Sequence, residues 1–159
     1  MYLDSLEFLD EEREAWRPFE ALGALSDDAL VRPVSGAHGW SGRDLMAHLT
    51  AWHEVALETA KELAVRETSP TRDAMDIAWD ERGGDVINEE FLERDRARPL
   101  EEVKSRFGSI PGELRGYLTV VPESRWVKHP THLRSFVEDT IEHYASHVED
   151  LEAVLASDT

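Results

Sequence analysis

The stretch Ser41-Gly42-Arg43-Asp44-Leu45-Met46-Ala47-His48-Leu49 decides the fold, because it holds a helix start and the first turns of a long amphipathic pattern. A serine followed three residues later by an acid, ahead of an apolar run, is a variant of the capping box. Beyond it Leu45, Leu49, Trp52, Ala56, Ala60 and Leu63 recur every three or four residues. That period predicts an amphipathic helix running to about Arg66.

On the N-terminal side, Leu6, Leu9, Arg13, Trp16, Glu20 and Leu22 fall at helical spacing, with Phe8 and Phe19 flanking them. Asp4, Asp10, Glu11 and Glu12 suit the positive end of that helix, and Pro18 should kink it. Ser26-Asp27-Asp28 opens a short turn to Leu30, stopped by Pro33, and a glycine-flanked turn follows through Trp40. On the C-terminal side, Glu67 to Gly84 has no clean period and reads as a long connection, of a kind that often covers a site. A short helix is expected from Val86 to about Arg96. Leu100, Val103, Phe107, Ile110, Leu114, Tyr117 and Leu118 form the next stripe, in which Pro111-Gly112 predicts a kink or two abutting helices. After a connector over Pro122 to Pro130, a final helix is expected from Thr131-His132 through Phe136, Val137, Ile141, Tyr144, Val148, Leu151 and Leu155. Strand signal is confined to a weak Tyr117 to Val121, and there are no internal repeats. The reading is all-α: a four-helix bundle with a long connection between the second and third principal helices, occupying one domain over residues 1–159.

Composition narrows the chemistry. Hydrophobic residues make up 41% and charged residues 32%, as expected of a globular chain, and no apolar run approaches the roughly 18 residues of a membrane span. The first residues lack the basic region and apolar stretch of a signal peptide, which leads to the expectation of a cytoplasmic protein. There is no cysteine, so disulfides, thiolate ligands and cysteine nucleophiles are excluded. A formal net charge of −17 repels phosphate backbones and anionic lipid, so neither nucleic acid nor membrane is an expected partner. No His-Glu-x-x-His arrangement, phosphate loop or nucleophile elbow is present.

What remains is histidine. His143 and His147, four residues apart on the last expected helix, differ by about 40° on a helical wheel and can converge on one metal ion. Asp139 and Asp150 share their flank and could orient an imidazole, although such charges are more often solvated. A third ligand would come from the helix that starts at Ser41, where His48 and His53 lie about 140° apart. One of the two can face a bundle site, and periodicity alone does not choose between them.

The string from Gly39 to Leu49, with His143-x-x-x-His147 on the last helix, resembles the DinB/YfiT-like superfamily over essentially the whole chain. The resemblance implies a four-helix bundle and a divalent metal, often zinc or nickel. It carries the triad onto His48, His143 and His147, with water completing the shell. Characterised relatives include transferases and isomerases that use mycothiol or bacillithiol. Two departures are visible. Bacillithiol-type relatives commonly continue past the last ligand with Arg-Gly-Gln, where this chain has Val148-Glu149-Asp150-Leu151. Mycothiol-dependent maleylpyruvate isomerases carry an additional C-terminal domain, and the expectation here is the bare bundle.

The resulting expectation is a metal-dependent enzyme, an S-transferase or hydrolase of detoxification or stress response, that activates a thiol or water against a small electrophile. A homodimer is expected by the same resemblance. The alternative is a non-enzymatic metal-binding or stress-associated bundle. Glu54 and Asp139 are the weak candidates for proton transfer. His53 is expected to be structural, Trp40 a buried brace for the turn, Trp52 core, Trp79 either lid or connector, and Arg94, Arg96 and Arg98 a salt-bridged surface.

Overall fold

In the computed structural model, which describes residues 2–158, the chain folds almost entirely into helices. Helix α1 spans Ser5–Trp16, capped by the Asp4 carboxylate accepting from the Glu7 N–H, and then tightens at Pro18 into a 3-10 segment, Arg17–Ala24. A short α2, Asp27–Val31, and a 3-10 turn, Ser35–Ala37, lead to α3, Gly42–Val65. Both halves of the capping box at its start are formed: the Ser41 hydroxyl accepts from the Asp44 N–H, and the Asp44 carboxylate accepts from the Ser41 N–H. Helices α4, Pro70–Arg82, and α5, Gly84–Arg96, precede α6, Leu100–Val120. The chain closes with α7, Pro130–Asp139, α8, Ile141–Ser146, and α9, Val148–Ala156.

The four principal layers are α1 with its 3-10 extension, α3, α6 and the α7–α9 run. Two apolar clusters hold them together. Trp16, Phe19, Leu45, Leu49, Phe107 and Tyr144 fill one, and Phe8, Leu63, Leu114, Trp126 and Phe136 fill the other. Burying such aromatic and aliphatic side chains contributes about 1.5–3 kcal/mol each, which is what commits the stripes to one interior. Some polar groups inside this core form a network, while Trp126 Nε1 and His53 Nδ1 are buried without a hydrogen-bond partner. Arg115 donates twice to the Glu12 carboxylate, at 2.6 and 3.1 Å, and the Tyr144 hydroxyl donates to Glu12 at 2.7 Å.

Three expectations are corrected. Residues 67–84 are not an irregular connection: α4 occupies most of them, started by the Ser69 hydroxyl accepting from the Arg72 N–H and by Pro70 in the first turn. The helix lacks an apolar period because Arg72 is its only fully buried residue among those described. Its end is set by Gly83, whose φ of +87° a side chain would resist. Gly84 then packs under the Trp79 ring, which a Cβ there would meet at 2.5 Å and would have to displace.

Second, two abutting helices are not formed at Pro111-Gly112: α6 runs through Pro111 as one helix. One lost backbone bond does not end a helix whose Val103, Phe107, Ile110, Leu114 and Leu118 are all buried. Third, the last helix is broken at Thr140 (φ −121°, ψ −95°) and at His147 (φ −115°, ψ 9°). Both are polar residues that leave the helical region, and the breaks lie on either side of His143, the second of them at His147 itself.

Candidate metal centre

His48 lies in the second turn of α3 and is buried. His143 projects from the middle of α8, and His147 sits at the interruption between α8 and α9. The three side chains come together: one nitrogen from each lies within 4.8 Å of the others. Nε2 of His48 and Nε2 of His143 face each other at 2.9 Å, a hydrogen-bonding distance at which one nitrogen donates to the other. All three ring pairs have centroids 4.8 Å apart.

The electrostatics keep these rings in the ligating form. Burial pushes His48 down to about 3, helped by the neighbouring His147, and pushes His143 down to about 2, helped by His48 and His147. Both are therefore neutral at physiological pH, with lone pairs available. The His147 ring donates from Nδ1 to Asp150 Oδ2 at 2.8 Å, which leaves Nε2 as its acceptor nitrogen. Two imidazoles kept neutral by burial and a third pinned by a carboxylate are the donor set of a catalytic zinc-type site, so the residues present fit a divalent ion.

The Asp150 carboxylate also accepts from His38 Nδ1 at 2.9 Å. This second bond fastens the turn before α3, where His38 (φ +59°) and Gly39 (φ +83°) both take left-handed backbone, onto α9. Trp40 is thereby held over the site, with its ring 4.9 Å from His48 and stacked at 6.0 Å on His147.

A cavity of about 1050 Å³ opens beside the three rings. Trp40, Trp52 and Trp79 contribute its aromatic walls, and α4 and α5 cover one side. The Trp52 indole donates to Asn88 Oδ1 at 2.8 Å and meets Trp79 edge-to-face at 5.5 Å. Arg72 reaches in from α4, is buried, and donates to Asp139 Oδ2 at 2.9 Å and to Asp76 Oδ1 at 3.0 Å.

A model of the mycothiol maleylpyruvate isomerase N-terminal domain matches residues 9–152. The chain belongs to this family. The family lies within the DinB/YfiT-like superfamily, in agreement with the resemblance carried by the tryptophan turn and the two histidine motifs. No curated protein matches the chain, and no solved structure does.

Within this family frame, several sequence expectations change. His53 is a structural residue, as expected: it is fully buried, and its Nε2 donates at 2.5 Å to the Tyr144 hydroxyl, outside the triad. Trp40 lines the cavity instead of only bracing its turn, and Trp52 serves both core and cavity. Trp79 is on a helix, 45% exposed, at the cavity wall. Glu54 is ion-paired with Arg106 and Arg94 away from the cavity, which removes it as a proton carrier for the site. Asp139 and Asp150 are both buried rather than solvated. The Arg94, Arg96 and Arg98 group is salt-bridged, as expected, to Asp95, Asp44 and Glu102.

Arg72 was the functional residue least visible in the sequence. Its signal was the Ser69-Pro70 helix start, which places residue 72 in a first turn. Asp150 was more accessible, lying three residues beyond His147 on the same helical face.

Proposed function

We propose that the chain is a metal-dependent enzyme in which His48, His143 and His147 hold one divalent ion, zinc or nickel. The ion would activate a low-molecular-weight thiol, mycothiol being the one that the family's description names, or a water molecule, against a small electrophile. The observation that carries this is the convergence of three imidazoles at the wall of an open cavity. A divalent ion supplies Lewis acidity there, lowering the pKa of a bound thiol or water.

The protein's own residues do the remaining work. His147 is held in one tautomer by Asp150, and His48 and His143 are kept unprotonated by burial. Trp40, Trp52 and Trp79 exclude water from the substrate's apolar surface. Asp139 is the carboxyl that can take or give a proton at the cavity wall, because burial pushes it up to about 7 despite Arg72 beside it. A structural or sensory metal site, the non-enzymatic alternative, calls for a closed shell, and the open cavity beside the rings favours the enzyme.

Metal analysis of protein purified without a nickel column tests the site. On the order of one ion per chain is expected, because three ligands define one site. Unchanged metal content in His147→Ala would exclude the triad. For the reaction class, a cobalt-substituted protein should change its visible spectrum on adding mycothiol; no change with mycothiol, bacillithiol or glutathione rules out the transferase.

A further inference from the structure

We propose that the cavity beside the three histidines selects a small organic cation, an ammonium group on an apolar body, over a carboxylic acid. This rests on the reading of that cavity as the substrate site. The cavity and its indoles define the place, and the charges on its walls decide what enters.

Seven carboxylate residues line the cavity against one basic residue, Arg72, among the described residues. Arg72 is not available to an incoming anion: Asp139 and Asp76 occupy its guanidinium from two sides. The remaining five come from two groups of helices, Asp80, Asp85 and Glu89 from α4 and α5, and Glu138 and Glu142 from α7 and α8. Asp80, near the end of α4, and Asp85, in the first turn of α5, have no ion-pair partner among the described residues and are exposed to the opening. Glu138 and Glu142 share Arg134, which does not line the cavity. Even a bound divalent ion leaves acids in excess on these walls.

Such walls lower the local concentration of an anion and raise that of a cation. The indoles favour the same ligand. Trp52 and Trp79 meet at 74°, so the pair presents ring surface in two directions, and an indole face attracts an ammonium while its area covers an apolar body. A dicarboxylate would find acids at the rim, a compensated guanidinium within and no free donor cluster.

The test is a binding titration followed by tryptophan fluorescence on the full chain, using 2-phenylethylammonium, the nearly isosteric 3-phenylpropanoate and neutral 3-phenylpropanamide as probes. Each is measured in metal-free and zinc-loaded protein, because a carboxylate could bind zinc directly. The ammonium should bind at least tenfold more tightly than the carboxylate in the metal-free protein, and the margin should shrink as salt screens the walls. An Asp80→Asn/Asp85→Asn double variant should lose several-fold of that margin, whereas Glu113→Gln, which removes an exposed charge from α6 outside the cavity, should keep it. Equal binding of the two probes, tighter binding of the carboxylate in metal-free protein, or a margin unchanged in the double variant would overturn the proposal. Zinc stoichiometry on the same samples separates the two ideas: bound zinc without cation preference removes only the cation, and cation preference without zinc removes only the metal site.

Discussion

Asp150 accepts the Nδ1 proton of His147 at 2.8 Å, so a buried carboxylate on α9 fixes the orientation and tautomer of a candidate ligand at the α8–α9 break. The same carboxylate holds His38 and, through that turn, the tryptophan above the site. One side chain thus couples ligand geometry to the cavity roof.

Asp150→Ala should therefore weaken metal binding by about 10–100-fold, the usual consequence of losing a carboxylate behind a ligating imidazole. Competition with a chromophoric chelator measures it. Wild-type affinity in the variant would show that His147 needs no support.

Arg72 and Asp139 form a buried pair whose partners respond differently to its loss. Asp139 can take up a proton, while a guanidinium cannot lose one. In the wild type the raised Asp139 value means a stability contribution present below its unfolded value of about 4 and lost as pH rises through about 7. Arg72→Met removes the charge that holds Asp139 down, so its carboxyl stays protonated to higher pH. The cost of the substitution should then grow above pH 7, by up to about 1.4 kcal/mol per pH unit. Urea unfolding at pH 6, 7 and 8 reads this directly, and a cost independent of pH contradicts it.

His53 acts with the opposite sign. Burial, aided by Arg115, pushes it down to about 3, so its contribution to stability is present above about 6.5 and is lost as pH falls toward 3. Between pH 7 and pH 5 this one ring should cost the wild type about 2 kcal/mol. His53→Leu leaves Tyr144 donating to Glu12 and should lessen the acid sensitivity by about that amount. Denaturation midpoints at the two pH values provide the comparison.

Trp79 lies so close to the start of α5 that Gly84→Ala must displace its ring. Because Trp79 is 45% exposed, the ring can yield, and the stability change should stay below about 1 kcal/mol. Its displacement from Trp52 should appear as a changed tryptophan emission spectrum together with weaker binding of the ammonium probe. An unaltered spectrum would mean that the Trp52–Trp79 contact is not held in solution.

The sequence by itself determined the helix that begins at Ser41, the amphipathic stripes of the four layers and the pairing of His143 with His147, because capping and helical period are local properties. The family resemblance added His48. Local pattern could not see α4, since a helix that buries little more than one arginine has no apolar period to display. It also drew the last helix as continuous, although the breaks at Thr140 and His147 lie on either side of His143. Helical period could not choose between His48 and His53, and only the tertiary structure gives the physical reason for the choice: both flanks of α3 are buried, and His48 meets α8 and its imidazoles while His53 meets Tyr144 and Trp16. The same holds for Asp139 and Asp150, whose charges are tolerated in the interior because Arg72 and two imidazoles, distant in the chain or a turn away, are brought against them.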